Sequence, residues 1–425
     1  MTKYSTTRTV SVTPSAEEAW RDVNNCFECF CLTAGVETLQ ALMEKDATEI
    51  CGPRHARGTS RQGYRWGSTQ GKIGFHGGKV DVIRPRVRED GGEELQLPSW
   101  SESIREDWLG KWAMNLMLIN VSTRRMGRAV RLPEGDLKQV NGDGTSKSAA
   151  SRRFVALTSE KMDQWLASDL SKLDLLVIQI DGLHITEDIV LVAAIGIDAD
   201  GRKHPLGLVE GATENAATAQ ALLENLIERG LDPAIARLFI LDGAKALTKA
   251  IRRTFGKHAL IQRCQVHKAR NILDRCPKKH VASVRRTLRK AWEMDDAAQA
   301  ERLLTDLSRR IERDAPGAAA SIREGLDEIL TVSRLGLPPA LRRSLACTNA
   351  IENMQGTIRR VTRNVKRWRD AEMALRWAAA GMMEAKKGFR RLKAYRQLPR
   401  LRQALAKHAN QHAKAPAIAV EAKAE

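Results

Sequence analysis

The sequence predicts an α/β fold: a mixed five-stranded sheet, an all-α insertion late in the chain, and a mostly helical region ahead of the sheet. Three patterns carry that prediction. Short apolar runs, broken by turn residues and by two helix-period segments, fill 175–262. Residues 277–345 show helical periodicity alone. Residues 16–50 and 100–132 also repeat at helical spacing, on either side of a glycine-rich basic stretch.

In the first helix Trp20, Val23, Phe27, Phe30 and Ala34 recur at steps of three or four. Cys26 and Cys29 make a C-x-x-C there, near Cys31 and Cys51, but no second ligand pair follows, so core packing is the favoured reading. Glycines at 52, 58, 63, 67, 71, 74, 77 and 78 interrupt any helix, while Lys79–Arg84 alternates like a strand. Arg54, Arg57, Arg61, Arg65 and Lys72 lie around Tyr64 and Trp66, which suits a nucleic-acid surface or a small sheet with charged edges. After 100–132 comes Gly142-Asp-Gly-Thr-Ser-Lys-Ser-Ala-Ala-Ser-Arg-Arg-Phe154, a turn, a cap and a small-residue helix. It resembles the second half of a helix-turn-helix, which would aim Lys147, Ser148, Ser151 and Arg152 at a major groove.

Leu175–Ile180 reads as a buried strand stopping at Asp181-Gly182, and Ile189–Ile197 as a second. Asp198-Ala-Asp-Gly201 is a hairpin turn leading to a third strand, His204–Val209. Thr218–Arg229 is an amphipathic helix ended by Gly230, Leu238–Leu241 a fourth strand stopping at Asp242-Gly243, Ala244–Phe255 a helix and Ala259–Gln262 a fifth strand. Three hairpin-linked strands, then helix, strand, helix, strand, is the plan of a ribonuclease-H-like fold. In 277–345, Val281, Val284, Leu288 and Trp292 share a face, as do Leu303, Leu304, Leu307 and Ile311. The expected division is 1–98, helical and basic; 99–170, with the helix-turn-helix; 171–276, the first part of the core; 277–345, the insertion; 346–408, a further helix and basic C-terminal helices; and 409–425, a flexible tail.

Lys and Arg outnumber Asp and Glu by 70 to 51, a net charge of +19, which marks a polyanionic partner. Residues 353–425 hold 18 basic against 5 acidic residues, so this excess is concentrated in the last part of the chain. No apolar run is long enough to cross a bilayer, and Met1–Ser15 has no apolar stretch of the secretory kind, so a cytoplasmic protein is expected. The seven cysteines have no framework spacing, consistent with reduced thiols.

Asp181 and Asp242 each follow an apolar strand and precede a glycine, and the topology makes their strands neighbours. Paired carboxylates repel, and a divalent cation is the usual remedy; phosphodiester chemistry uses two such ions with a third acid. Glu352, in Thr348-Asn-Ala-Ile-Glu-Asn-Met-Gln-Gly356, is that acid if its helix packs on the sheet. From it one helical stripe runs through Gly356, Arg359, Arg363 and Lys366, a track for a DNA backbone. The rival for these cations is packing against Glu324, Asp327 and Glu328. Cys264 and His267 are two ligands without a second pair, which fits lining of the active site better than a metal site of their own. Trp292 is either core or a stacking platform for a distorted base.

The motifs Gly63-Tyr-Arg-Trp-Gly67, Val82-Ile-Arg-Pro-Arg-Val-Arg88, Ser122-Thr-Arg124, Ser146-Lys-Ser-Ala-Ala-Ser-Arg-Arg153, Ile180-Asp-Gly182, Leu241-Asp-Gly-Ala-Lys-Ala-Leu247, Arg263-Cys-Gln-Val-His-Lys268 and Thr348-Asn-Ala-Ile-Glu-Asn353 together resemble the Mutator-like bacterial insertion-sequence transposases, over roughly residues 35–405. The resemblance implies Asp181, Asp242 and Glu352 as a DDE triad, with Cys264 and His267 as the family's C-x-x-H and Asn349 beside the triad. It implies two Mg²⁺ ions per site, replaceable by Mn²⁺, and double-stranded DNA as partner, both terminal inverted repeats and target. It implies joining of the transposon ends to target without a covalent protein–DNA intermediate. Bringing two ends together asks for a homodimer or larger on DNA, at the bacterial nucleoid. A structure-specific nuclease or resolvase on the same fold and a non-catalytic DNA-binding regulator stay open as alternatives.

Overall fold

The computed structural model describes residues 16–54, 62–75, 78–105, 107–126, 146–211 and 216–413. The chain forms two compact units, Met1–Leu157 and Thr158–Glu425. No described helix is long and apolar enough to cross a membrane.

The first unit joins a long helix α1 (Ala16–Cys51) to an antiparallel sheet of β1 (Tyr64–Phe75), β2 (Gly78–Arg88) and β3 (Glu94–Leu95), followed by α2 (Pro98–Arg105) and α3 (Trp108–Leu118). Val80, Val82 and Val87 pack against Val36, Met43 and Ala47 of α1, with Leu97 and Trp100. Of the two readings left open for this stretch, the small sheet with charged edges is present, and its first strand runs through the glycines. A Cβ on Gly71 would lie 2.2 Å from the Trp100 ring, and one on Gly74 would lie 2.8 Å from Leu109, so these glycines let helices rest on the strand. Part of the basic cluster is committed within this unit: Arg54 and Arg65 pair with Glu44, Arg84 and Arg86 with Glu94, and Arg88 stacks over Trp66 at 4.6 Å. Arg57 and Arg61 lie outside the described residues, as do the side chains of Cys26 and Cys29; Cys51 is buried and Cys31 exposed.

Helix α4 (Lys147–Leu166) runs across the boundary of the two units. Ala150 and Phe154 are its buried residues near the start, and Lys147, Ser148, Ser151 and Arg152 are all exposed. The expected groove-facing set therefore shares one solvent face. The turn at Gly142–Thr145 lies outside the described residues, whereas the helical stretch expected over 100–132 is described as far as Met126, as α2, α3 and a 3-10 turn at Thr123–Arg125.

The second unit is built on a five-stranded mixed sheet: β4 (Leu175–His184), β5 (Val190–Asp198), β6 (Lys203–Glu210), β7 (Arg237–Leu241) and β8 (Ala259–Arg263), in the order β6-β5-β4-β7-β8. The first three pair antiparallel, and β4-β7-β8 pair parallel. Alternate residues of each strand face opposite sides, and both sides are covered. Ile178, Ile180, Phe239 and Leu241 meet α5 (Ala216–Glu228) and α6 (Lys245–Phe255). Leu183, Ala193 and Ile195, on the other face, meet α14 (Asn349–Thr362) and α15 (Ala371–Lys387).

Between β8 and α14 lie α7 (Gln265–Asp274), α8 (Lys278–Glu293), α9 (Ala297–Ile311), α10 (Pro316–Arg323), α11 (Leu326–Ile329), α12 (Thr331–Arg334) and α13 (Pro339–Leu345). Ile272, Val284, Leu288, Leu304, Leu307 and Ile322 form a core of their own. Val332, Leu337, Leu341 and Leu345 then return to the sheet and pack with Val177, Leu238 and Ile240, joined by α16 (Leu398–Ala413).

One expected boundary is corrected. β4 does not stop at Asp181-Gly182; Asp181 still pairs with Ala193 and the strand reaches His184. What stops there is the parallel partner: the last β4–β7 pair is Ile180 with Leu241. A ladder ends only where its neighbour ends, and β5 continues.

Candidate active site

The site begins with two strand residues of the same parity. Gln179 and Asp181 point to the face covered by α14, while Ile178 and Ile180 point away. The Ile351 N–H donates to Gln179 Oε1 at 3.1 Å, and Gln179 Nε2 donates to the Cys347 carbonyl at 3.2 Å. Gln179 therefore satisfies a first-turn N–H of α14 that a capping side chain would otherwise take. Thr348, at the cap position, makes no side-chain cap bond; its hydroxyl donates to Glu352 Oε1 at 2.6 Å. One turn along, Gln355 Nε2 donates to Asp181 Oδ2 and to the Gly182 carbonyl, both at 3.0 Å. Glu352 lies between these two attachments.

Asp181 and Asp242 follow Ile180 and Leu241, the last pair of the parallel ladder, so they are adjacent across the two strands. Asp181 is buried, and burial together with the charge of Asp242 raises its carboxyl from 3.8 to about 6. Asp242, half-buried, accepts from the Ala244 N–H at 3.0 Å in a local turn. Gly243 completes that turn at φ 109°, where a Cβ would come within 2.1 Å of Arg263 Nε. Gly243→Ala should therefore cost about 1–3 kcal/mol from backbone strain, before any displacement of Arg263. A urea melt checks this, and an unchanged midpoint would show that the turn relaxes freely.

His267, half-buried, interacts electrostatically with both sides of the site. Its pKa is raised by hydrogen bonding with the Cys264 thiol and further by the charges of Glu352 and Asp181. Its Nε2 is 3.8 Å from Glu352 Oε1. Burial works to raise the Cys264 thiol, but hydrogen bonds with His267 and Thr348 outweigh it and bring the thiol below its ordinary value. The arrangement provides two adjacent carboxylates, a third acid held on a docked helix, and an imidazole between them. Hard oxygen donors of this kind suit a divalent cation, which would offset the burial and the neighbouring charge that raise the Asp181 carboxyl.

Other expected residues are spread more widely. Asn349 is at the first position of α14 and exposed. Trp292 is half-buried against the helical core, its Nε1 without a partner, and it lines a cavity of about 370 Å³ with Arg289, Arg342 and Arg343. The cationic stripe needs correction at its far end. α14 stops at Thr362, so Arg363 is its C-cap and Lys366 lies beyond the helix. The buried run Ile351, Met354, Ile358, Val361 ends there, and the chain turns so that α15 can pack alongside. Arg359, Arg363 and Lys366 are all exposed. The acids of the rival reading have other partners: Glu324 pairs with Lys245, Arg263 and Lys268, Asp327 with Arg334, and Glu328 with Arg252.

Four residues near the acids were missed by the sequence reading. Gln179 and Gln355 could have been found as polar residues at core-facing positions, two before Asp181 and three after Glu352. Arg263 is buried beside Gly243 with its Nε unpaired, and a basic residue ending an apolar strand was the available signal. Lys268 is fully buried and donates to the Glu324 carbonyl at 2.7 Å; burial and the charge of Arg263 lower its ammonium to about 8. Lys268 closes the motif Arg263-Cys-Gln-Val-His-Lys268, but nothing in that motif marks its side chain as buried.

The family model for the Mutator family of transposases matches residues 18–391. The chain is 29% identical to the transposase for insertion sequence element IS6120 from Mycolicibacterium smegmatis, over 54% of this chain and 72% of the relative. It is 28% identical to the transposase for IS256 in transposon Tn4001 from Staphylococcus aureus, over 81% and 86%. It is 25% identical to the transposase for IS1081 from Mycobacterium tuberculosis, over 81% and 82%.

Proposed function

This chain belongs to the Mutator family of transposases, and from that membership we infer that it binds the terminal inverted repeats of an insertion sequence, cuts DNA strands there and joins them to a target. The observation that carries the chemistry is the adjacency of Asp181 and Asp242 at the end of the β4–β7 ladder, with the Glu352 helix docked on the same face. The strand order, three antiparallel and two parallel, supports a ribonuclease-H-like core. We assign Asp181, Asp242 and Glu352 as the DDE triad, the residues that would hold two Mg²⁺ ions or Mn²⁺ in their place. When bound, these ions supply Lewis acidity to the scissile phosphate and to the attacking oxygen.

The protein's own groups do the positioning. Gln355 orients Asp181, Gln179 fixes the start of α14, and the Ala244 N–H holds one oxygen of Asp242. His267, 3.8 Å from Glu352 Oε1, would contact a phosphate oxygen, with Arg263 beside Gly243. The exposed face of Lys147, Ser148, Ser151 and Arg152 reads the repeats in a major groove, as part of a helix-turn-helix. Trp292 serves as a stacking platform. Two DNA ends require at least a homodimer in the working complex, acting at the nucleoid in the cytoplasm.

The deciding experiment incubates the protein with duplexes carrying the terminal repeats and Mg²⁺, with Glu352→Gln as control. Nicking plus strand transfer, lost in the control, is expected. Nicking without transfer on any branched duplex would favour a structure-specific nuclease, and repeat binding without either would favour a regulator.

The cations beyond Glu352 give a separate test. Arg359→Ala and Arg363→Ala should each make the log–log salt dependence of DNA binding shallower by about one unit. Melting temperatures should hardly move, because exposed charges add little to stability. A salt slope equal to that of the parent protein would remove this face from the DNA path.

A further inference from the structure

Cys264, His267 and Glu352 each offer a ligand atom, and the three atoms lie within 4.8 Å of one another. Among the described residues this is the one trio of Cys, His, Asp or Glu so disposed. The set comprises one sulfur, one imidazole nitrogen and one carboxylate oxygen. Mg²⁺ prefers oxygen donors alone, whereas sulfur and imidazole select Zn²⁺ and ions like it. Three protein ligands leave a fourth tetrahedral position for water.

The surroundings hold these groups in place. Cys264 caps α7 and its N–H donates to the Leu241 carbonyl at 2.7 Å, which ties it to the end of β7. His267 is in the first turn of α7, so the three-residue step puts it on the same side. Thr348 Oγ1 lies 2.6 Å from Glu352 Oε1 and 3.4 Å from Cys264 Sγ, bridging two of the three ligands. His267 Nδ1 is buried with no hydrogen-bond partner. Cys264 is fully buried while His267 and Glu352 are half-exposed, so an ion would enter past the latter two.

We propose that Cys264, His267 and Glu352 form a binding site for a soft divalent ion of the Zn²⁺ class, separate from the oxygen site at Asp181 and Asp242, and that filling it holds Glu352 away from those aspartates. The binding half stands on the ligand set alone. The inhibitory half rests on the reading of Glu352 as a catalytic acid.

The test titrates Co²⁺, a spectroscopic substitute for Zn²⁺, into the chelator-treated full chain. One equivalent is expected to bind with a thiolate-to-cobalt charge-transfer band in the near ultraviolet and intense tetrahedral visible bands. Zn²⁺ should displace it and millimolar Mg²⁺ should not. The charge-transfer band should vanish in Cys264→Ser. Affinity should fall about tenfold or more in His267→Ala and Glu352→Gln, and Asp181→Asn should bind as the parent does. Glu352→Gln also guards against a misfolded Cys264→Ser protein, because a carboxylate ligand lost from an intact site shifts the visible bands while keeping the sulfur band. Absence of the sulfur band in the parent, or its survival in Cys264→Ser, would overturn the site. If Co²⁺ binds as described but one equivalent of Zn²⁺ leaves Mg²⁺-dependent nicking unaffected, the inhibitory half is wrong. A protein that binds Co²⁺ yet never nicks repeat DNA in Mg²⁺ would count against the proposed function and leave the site standing.

Discussion

Asp181→Asn is expected to end strand cleavage, a loss of roughly a thousandfold or more, and at the same time to raise the melting temperature of the metal-free protein at pH 8. Burial and the neighbouring Asp242 lift this carboxyl from 3.8 to about 6. At about 1.4 kcal/mol per unit, keeping it ionised costs the fold about 3 kcal/mol. The sign follows from linkage: an acid whose folded pKa is raised contributes stability that is complete below its unfolded pKa and is lost as pH rises through the folded one. The loss should therefore accumulate between about pH 4 and pH 6 and stay level above. Asparagine carries no charge to desolvate, and its side-chain oxygen can still accept from Gln355. A divalent ion supplies the missing counter-charge, so Mg²⁺ should raise the melting temperature of the parent at pH 8 and leave the Asn variant where it was. The check is a set of melts at pH 5 and pH 8, in chelator and in Mg²⁺, beside a cleavage assay. Parent and variant melting together at pH 8 in chelator would contradict the assignment of strain to Asp181.

The second large effect is expected at Gln179, which is buried beneath α14. Its side chain is 1% exposed, and its amide meets both the Ile351 N–H and the Cys347 carbonyl. Gln179→Leu keeps the approximate size but leaves two buried backbone groups unpaired, at about 1–3 kcal/mol each. It also frees the start of α14, and with it Glu352. A displacement of about 1 Å at a reacting centre is enough for roughly a hundredfold loss of rate. The expected result is a lower urea midpoint with a severe cleavage defect and repeat binding near that of the parent. A leucine variant with the parent's midpoint and cleavage would show that packing of Ile351, Met354 and Ile358 alone positions the helix.

The sheet was legible because its strands are apolar on both faces. Leu175–Ile180 and Leu238–Leu241 could hardly be anything else, and the Asp that follows each is conspicuous for breaking the run. β1 was legible only as one of two alternatives, because its signal is inverted: Gly71 and Gly74 are there to admit Trp100 and Leu109, a requirement set by residues some thirty positions downstream. The end of α14 was missed for a similar reason. A pattern of steps of four and three through Arg359, Arg363 and Lys366 costs nothing to continue on paper, but a helix is held by its buried side, and that side ends at Val361. Within the site, the two aspartates and Glu352 could be nominated from local context. The trio of Cys264, His267 and Glu352 could not, because its third member lies 85 residues beyond the second. Nothing local links them; the return of the chain from the helical insertion does.

That return has a consequence in time as well as in space. The strand carrying the last sheet pairing ends at Arg263, and Glu352 follows only after seven helices. At roughly 5–20 residues per second, a ribosome needs roughly 4–18 seconds to make the intervening segment. Throughout that interval the nascent chain has its basic N-terminal unit and both aspartates but not the glutamate. The order of translation therefore completes the sheet and its paired aspartates several seconds before it delivers the acid that the proposed triad needs.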